Sequence, residues 1–147
     1  MKFTAIAAAA LVTLAPLSAL AETHEVKMLN KGETGAMVFE PRFVKAEVGD
    51  VIKFLPTDKG HNAQSLDDML PDGQEPFKGK INQELDVEMT ADGIVTVKCL
   101  PHFAMGMVMI VQVGDDNTVP EGFLDAKLPG KSKKVLEEII DENLSTE

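Results

Sequence analysis

Short apolar runs of period two, separated by turn residues, are the feature of this sequence that most constrains its fold. Val26 and Met28 alternate with charged neighbours, which is the pattern of a strand with one buried face. A later run from Ile94 to Cys99 is followed, after a short loop, by another from Val108 to Val113. Several short strands with regular turn signals predict an all-β sandwich of about eight strands.

Proline and glycine mark where the predicted strands end. Phe39 and Phe43 flank Pro41, which is typical of an edge strand or a bend because proline cannot donate to a strand ladder. The run from Val51 to Leu55 stops at Pro56, and an irregular stretch rich in proline and glycine follows. These breaks separate the chain into strands rather than helices.

The C-terminal tail has helical rather than strand periodicity. Thr118 to Glu121 resembles the start of a short helix with proline in its first turn, and Ser132 is a candidate cap for a second helix. In that second helix an apolar stripe at helical spacing is predicted to pack on the sandwich. The stripe consists of Val135, Leu136, Ile139, Ile140 and Leu144.

The first 21 residues form a separate unit. Lys2 precedes an apolar run from Ala5 to Leu17, and the pattern closes on Ala19 and Ala21. A basic start, a short apolar run and an Ala-x-Ala ending are typical of a secretory signal peptide, and the run is too short for a good membrane anchor. We therefore predict a signal peptide at 1–21, a single domain at 22–147, export, and no membrane insertion.

Charge and cysteine content exclude two classes of protein. The formal net charge is −10 at pH 7, which argues against general nucleic-acid binding. Cys99 is the only cysteine, so a disulfide framework is excluded. A free thiol in an exported protein is prone to oxidation. Either burial as a small apolar side chain or binding to a metal would protect it.

The residues after Cys99 favour a metal. Cys99, His102 and Met107 lie within nine residues between two predicted strands. A thiolate, an imidazole and a thioether form a soft donor set, which selects copper over magnesium, calcium or manganese. A trigonal His₂Cys site with a long axial Met needs a second imidazole. His61, in the loop after Pro56, is the preferred candidate.

The alternatives at this site involve other ligands or another chemistry. His24 lies near the predicted mature amino terminus, in what is expected to be an edge strand, and is interpreted as an ordinary strand residue. Met105 is the rival axial ligand. Zinc can use the same donors, although structural zinc sites favour several Cys and His over Met. A Cys–His nucleophile pair lacks an orienting third group, so we predict no catalytic residue and no enzymatic activity.

The segment from Cys99 to Met107, with Gly60-His61-Asn62 upstream and a helical tail, resembles the cupredoxin family, and within it the pseudoazurin branch. The resemblance implies a Greek-key sandwich of eight strands with two short C-terminal helices. It implies one type 1 copper ion per monomer, held by His61, Cys99, His102 and Met107. It also implies that the Asn62 backbone amide bonds to the Cys sulfur, that Met37 packs beside the exposed His, and that Pro101 belongs to the same surrounding shell.

The resemblance also implies a function and partners. It predicts a monomeric periplasmic carrier that passes single electrons to a copper-containing nitrite reductase, or another periplasmic redox enzyme, in denitrification. The upstream donor would be a c-type cytochrome or the bc1 complex, and each encounter would be transient. A copper storage or delivery protein is the alternative. Five lysines are predicted to ring His102 and dock an acidic partner: Lys31, Lys59, Lys78, Lys80 and Lys98.

Overall fold

The computed structural model describes residues 20–146. The predicted signal peptide falls almost wholly outside these residues, so its cleavage stays a prediction. The described chain is built from short strands, three turns of 3₁₀ helix and one longer α-helix. In chain order the strands and the helix are β1 (Thr23–Gly32), β2 (Gly35–Glu40), β3 (Phe43–Ala46), β4 (Val51–Leu55), β5 (Gln64–Ser65), β6 (Leu85–Glu88), β7 (Gly93–Lys98), β8 (Val108–Val113), β9 (Thr118–Val119), α1 (Gly130–Asn143) and β10 (Ser145–Thr146).

Eight of these strands form two four-stranded sheets, which confirms the predicted sandwich. The first sheet has the order β2-β1-β4-β6 and the second has the order β3-β8-β7-β5. Two pairings, β1 with β4 and β3 with β8, are parallel, and the others within these sheets are antiparallel. The chain passes from the first sheet to the second at Pro41, where a bend lies between β2 and β3 as the sequence predicts.

The main core lies between the two sheets. Val26 and Met28 of β1 are fully buried, as their alternation predicts, and Phe39 packs edge-to-face on Phe54 with ring centroids 6.0 Å apart. In the second sheet Val95 and Val97 face the same core. Since side chains alternate along a strand, Cys99 continues this inward row just beyond the end of β7.

A second core lies on the other face of the second sheet. There Ile94 and Ile110 pack against Leu136 and Ile139 of α1. The apolar stripe of the tail therefore packs on the sandwich as predicted, with Val135 and Leu144 only partly buried. Both faces of β7 and β8 are therefore covered, and every residue of β8 is buried. This explains why these two strands read as continuous apolar runs while β1 alternates.

Two details differ from the sequence predictions. Thr118–Val119 is the strand β9, paired in parallel with β10, and not the first turn of a helix. Val119 is buried against α1 residues, and a 3₁₀ turn at Phe123–Asp125 follows it. Ser132 is not a cap, because α1 begins at Gly130 and the Ser132 side chain is buried inside it.

The prediction that His24 lies in an edge strand is also wrong, because β1 lies between β2 and β4 and bonds to both. His24 itself pairs with Ile52 of β4, and the pairing with β2 begins at Lys27. The Nε2 atom of His24 lies 3.0 Å from Oδ2 of Asp50. Within residues 20–146, no helix has the length and apolar character needed to cross a membrane.

Candidate metal centre

The loop between β7 and β8 carries three of the four predicted ligands. The ladder between these strands ends at the pair Lys98 and Val108. One step further, the Cys99 backbone amide donates to the Met107 carbonyl at 3.0 Å. Cys99 and Met107 are therefore neighbours across the mouth of the loop, although seven residues separate them in sequence.

A turn of 3₁₀ helix at Leu100–Met105 folds this loop back over Cys99. Pro101 lies in its first turn, and the backbone amide of His102 donates to the Cys99 carbonyl at 3.2 Å. Gly106 ends the turn with φ of 87°, a left-handed conformation that glycine adopts without steric cost. The compact turn places the His102 imidazole beside the Cys99 sulfur.

His61 comes from the loop between β4 and β5. Its backbone is held by Asn82, whose amide donates to the His61 carbonyl at 2.9 Å and whose Oδ1 accepts from the Gly60 amide at 2.6 Å. Asn82 itself has φ of 64°, a left-handed conformation that asparagine tolerates better than most residues. This reciprocal clamp fixes where the His61 ring enters the core.

The three side chains converge on one point. Sγ of Cys99 lies 3.7 Å from Nδ1 of His61 and 3.5 Å from Nδ1 of His102. The two Nδ1 atoms are 3.0 Å apart. Among the described residues these three form a cluster whose ligand atoms all lie within 4.8 Å of one another.

Asn30 sets the protonation of the buried imidazole. Its Oδ1 lies 2.9 Å from Nε2 of His61, and because a carbonyl oxygen can only accept, Nε2 carries the hydrogen. Nδ1 then presents a lone pair to Cys99 and His102. Burial, and next the nearby His102, lower the pKa of His61, so its ring stays neutral and able to bind a metal.

The thiol of Cys99 is enclosed completely. Burial raises its pKa, while backbone amides of Asn62 and His102 bonded to the sulfur act in the opposite direction. The Asn62 side chain ties the two ligand loops together, because its Oδ1 accepts from the Leu100 amide at 2.8 Å and its Nδ2 donates to the Gly79 carbonyl at 3.0 Å. A buried thiolate needs a positive partner, which a bound metal ion supplies.

Exposure separates the two imidazoles. His61 is fully buried, whereas His102 is partly exposed. Their ring centroids are 4.7 Å apart. Cε1 of His102 lies 4.0 Å from where a Cβ of residue 60 would be, so Gly60 leaves the edge of that ring uncovered.

The two candidate axial methionines differ in position. Met107 is fully buried and belongs to the same core cluster as Cys99. The Met105 side chain is 43% exposed. Met37, with φ of 55°, is partly buried and packs against the cluster that contains Cys99 and Met107. Its packing beside His102 stays a prediction.

The helix α1 supports the ligand loop from outside. The buried Ser132 hydroxyl donates to the carbonyl of Phe103. Gly106 lies against Lys131 and Val135, where an added Cβ would come within 3.0 Å of the Lys131 side chain. The loop between His102 and Met107 is thereby attached to a helix that contributes no ligand of its own.

Three supporting residues were missed by sequence reasoning: Asn30, Asn82 and Ser132. Asn30 and Ser132 come from elements distant in sequence from the groups that they contact. The only local signal was that of Asn82, an asparagine in a polar turn between predicted strands, which is compatible with a left-handed conformation.

The five predicted docking lysines lie near the loops that carry the ligands. Four are exposed, and Lys98 is partly buried with its ammonium 5.0 Å from the centroid of Phe103. Lys78 and Lys98 each pair with Gln64, so they occupy the same face two strands apart. In the part of the chain that the structure describes, none of the five forms an ion pair.

The residues present fit a copper ion. Two imidazoles and a thiol supply soft donors at one enclosed point, and the buried thioether of Met107 lies beside Cys99 across the mouth of the loop. Oxygen ligands, which magnesium and calcium require, are absent from this cluster of described residues.

Comparisons with known proteins agree with this donor set. Residues 26–114 match the family model for copper binding proteins of the plastocyanin/azurin family. The chain is 55% identical to a pseudoazurin of Paracoccus pantotrophus over 96% of its own length and 94% of the relative's. Among solved structures it is similar to the pseudoazurin of Methylobacterium extorquens AM1, with 39% identity, a TM-score of 0.75, and coverage of 82% of this chain and 98% of that one. The pseudoazurin of Hyphomicrobium denitrificans is similar too, with 42% identity, a TM-score of 0.73, and coverage of 84% and 99%.

Proposed function

Because the chain belongs to the plastocyanin/azurin family of copper-binding proteins, in its pseudoazurin branch, we propose that it carries single electrons between periplasmic redox proteins. Copper is its cofactor, and electron transfer is its general role. The observation that carries the specific proposal is the convergence of three donor atoms in a cluster that reaches the surface at only one of its members, His102.

The proposed ligands are His61, Cys99 and His102, with Met107 as the weak axial donor. When bound, copper supplies a one-electron couple between Cu(I) and Cu(II). Met107 is preferred over Met105 because it is buried in the same cluster as Cys99, whereas Met105 is directed to the solvent side of the loop.

The chain contributes rigidity and the exclusion of water. Asn30 holds the His61 tautomer, Asn82 holds its backbone, and Asn62 joins the two ligand loops. Ligands fixed in this way move little when the charge at the site changes, so little reorganisation accompanies each electron transfer. The apolar surroundings of Cys99 and Met107 keep water away and favour the lower charge state.

His102 is the proposed route between the buried site and a partner. Its ring is the one that reaches the surface, and the same 3₁₀ turn carries two exposed apolar residues, Leu100 at 48% and Met105 at 43%. An apolar contact area around a partly exposed ligand lets another protein approach closely without a specific, long-lived interface.

The partner is proposed from charge. The chain as a whole is acidic, so lysines without ion pairs near His102 would make a dipolar surface that directs an acidic partner face to this end. We propose a copper-containing nitrite reductase as the acceptor, in denitrification, and a c-type cytochrome or the bc1 complex as the donor. Docking would involve Lys31, Lys59, Lys78, Lys80 and Lys98, with the carrier acting as a monomer in the periplasm after removal of residues 1–21.

Copper storage or delivery is the competing function, and the geometry favours it less. A delivery site must release its ion to a partner's ligands, which is easier from an open site. Here Cys99, His61 and Met107 are all fully buried, so a partner could reach only His102 without unfolding the loop.

An absorption and EPR spectrum of the copper-loaded protein tests the proposal. A type 1 site is expected to give an intense absorption band at about 600 nm that bleaches on reduction. The band comes from the Cys-to-copper charge transfer typical of such His₂Cys sites. Cys99→Ser should abolish the band, while substitution of the exposed Cys99 neighbour, Leu100→Ala, should retain it. A colourless copper complex would support storage or delivery instead.

A further inference from the structure

Asp50 is the one carboxylate among residues 20–146 that is buried, with 6% of the residue exposed. It lies just before β4, at the end of that strand opposite to the loop that carries His61. Its Oδ2 accepts from the Glu47 amide at 2.9 Å and lies 3.0 Å from Nε2 of His24. Its Oδ1 accepts from the backbone nitrogen of Glu22 at 2.8 Å. The metal centre uses none of these groups.

The Glu22 nitrogen is held in place by strand pairing. The Val51 amide donates to the Glu22 carbonyl at 2.8 Å, and Thr23 pairs with Val51 in the ladder between β1 and β4. Of the described residues that precede Glu22, Leu20 and Ala21 are both exposed, Leu20 by 91%. Removal of these two residues would therefore cost little packing and leave the nitrogen where it is.

We propose that Asp50 is a binding site for the α-ammonium group that forms on Glu22 when the chain is cut after Ala21. Before the cut this nitrogen is a neutral amide with one hydrogen. After the cut it is a charged group with three hydrogens at the same position, facing a buried carboxylate. Charge-assisted hydrogen bonds are roughly twice as strong as neutral ones.

The consequence is that processing strengthens the folded state. The new ion pair would fix the first residues of β1, an interior strand that carries Val26, Met28 and Asn30. The acidity of Asp50 agrees with this role, since the Glu47 amide, then the Glu22 amide and then His24 lower its pKa to about 2. The inference rests on the proposed export and cleavage.

Three forms of the protein with defined first residues test it: one that begins at Glu22, one that begins at N-acetyl-Glu22, and one with an added Met before Glu22. Acetylation keeps the N–H donor and removes the charge, so we expect it to lower Tm by about 5 °C, with a similar loss for the added Met. In Asp50→Asn the effect of acetylation should shrink to about 1 °C or less.

Asp115→Asn is the matched control, because Asp115 is exposed and pairs only with Lys45. In that variant the full effect of acetylation should persist. Equal Tm values for the three forms with Asp50 intact would overturn the proposal, and this comparison needs no variant that could fail to fold. A fall in Tm of the same size on acetylation of Asp50→Asn would overturn it as well.

The mass of the protein recovered from the periplasm separates this inference from the proposed processing. A chain beginning at Glu22 supports the cleavage boundary and shows that the Glu22 ammonium group forms in the cell. A chain beginning elsewhere contradicts the boundary, and it also contradicts binding of that ammonium group by Asp50 in the cell. Equal Tm values for the defined forms contradict only the binding by Asp50 and leave the electron-transfer proposal unaffected.

Discussion

The Nε2 atom of His61 lies 2.9 Å from Oδ1 of Asn30, on the edge of the ring opposite to the one that faces Cys99. One hydrogen bond therefore decides which nitrogen of the buried imidazole is available to copper. Asn30 is itself anchored, because its backbone amide donates to Oδ2 of Asp58 at 2.7 Å. The orientation of His61, in the loop between β4 and β5, thus depends on a residue of β1.

Asn30→Ala should weaken copper binding by about 10- to 100-fold, since loss of a partner that orients a ligating imidazole has effects of this size. Without the amide oxygen, the tautomer with hydrogen on Nδ1 becomes accessible. Competition with a Cu(I) chelator measures the affinity. Thr23→Ala, on the same strand, is the control and should bind as the unmodified protein does. Unchanged affinity in Asn30→Ala would contradict the assigned role.

Met107→Leu should change the EPR spectrum and raise the reduction potential, because a weak thioether donor that stabilises the oxidised site is lost. Met105→Leu provides the matched comparison, as it removes the other thioether of the loop from an exposed position. Its spectrum and potential should stay close to those of the unmodified protein. The reverse result would assign the axial position to Met105.

Lys59→Ala and Lys98→Ala should each reduce the second-order rate of electron transfer to the proposed acceptor, a copper-containing nitrite reductase, several-fold at low ionic strength. The difference should diminish as salt screens the charges. Lys45→Ala removes the same charge near the far end of β8, where Lys45 pairs with Gln112. Stopped-flow rates across a salt series measure the effect, and an equal effect of Lys45→Ala would leave no role for a localised docking surface.

Ser132→Ala should destabilise the protein by about 1 kcal/mol, the usual net contribution of one hydrogen bond, because the Phe103 carbonyl keeps the Gly106 amide as a donor but loses the Ser132 hydroxyl. Urea unfolding measures this, and Ser132→Thr should restore part of it by keeping the hydroxyl. If the bond also holds the ligand loop, the reduction potential should shift in Ser132→Ala and recover in Ser132→Thr. A potential equal in all three proteins would limit Ser132 to a structural role.

Asp50→Asn should change the dependence of stability on pH. Hydrogen bonds lower the pKa of Asp50 from 3.8 to about 2, so its contribution is complete above about pH 4 and is lost as the pH falls towards 2. The variant should be less stable at pH 7 by on the order of 1–2 kcal/mol, and the difference should close near pH 2. Urea unfolding at several pH values measures it. A difference that persists at pH 2 would assign the effect to packing.

Local patterns predicted the parts of the fold that depend on local sequence. The apolar runs at Val51–Leu55 and Val108–Val113 are the strands β4 and β8 with the same bounds. β9 was missed because it exists only through its pairing with the chain end at Ser145–Thr146. The interior position of β1, the strand of His24, also depends on non-local pairing, in this case between β1 and β4.

The same distinction applies to the metal centre. Cys99, His102 and Met107 could be identified because one loop between paired strands holds all three. His61 had to be chosen from two candidates, and the structure brings it to Cys99 while His24 lies against Asp50. Asn30 and Ser132 have no motif of their own, since what matters is a contact with a group far away in sequence.

The order of the second sheet bears on how the molecule is made. β3 pairs with β8, the last strand of the sandwich, and α1 covers that sheet from outside only afterwards. Contacts between segments so distant in sequence form late, because a long loop must first be closed. The second sheet therefore cannot be completed until β8 (Val108–Val113) has been synthesised, because β8 joins β3 to β7. If the chain is exported as proposed, the copper loop, which precedes β8 directly, would be completed only after the chain has crossed the membrane.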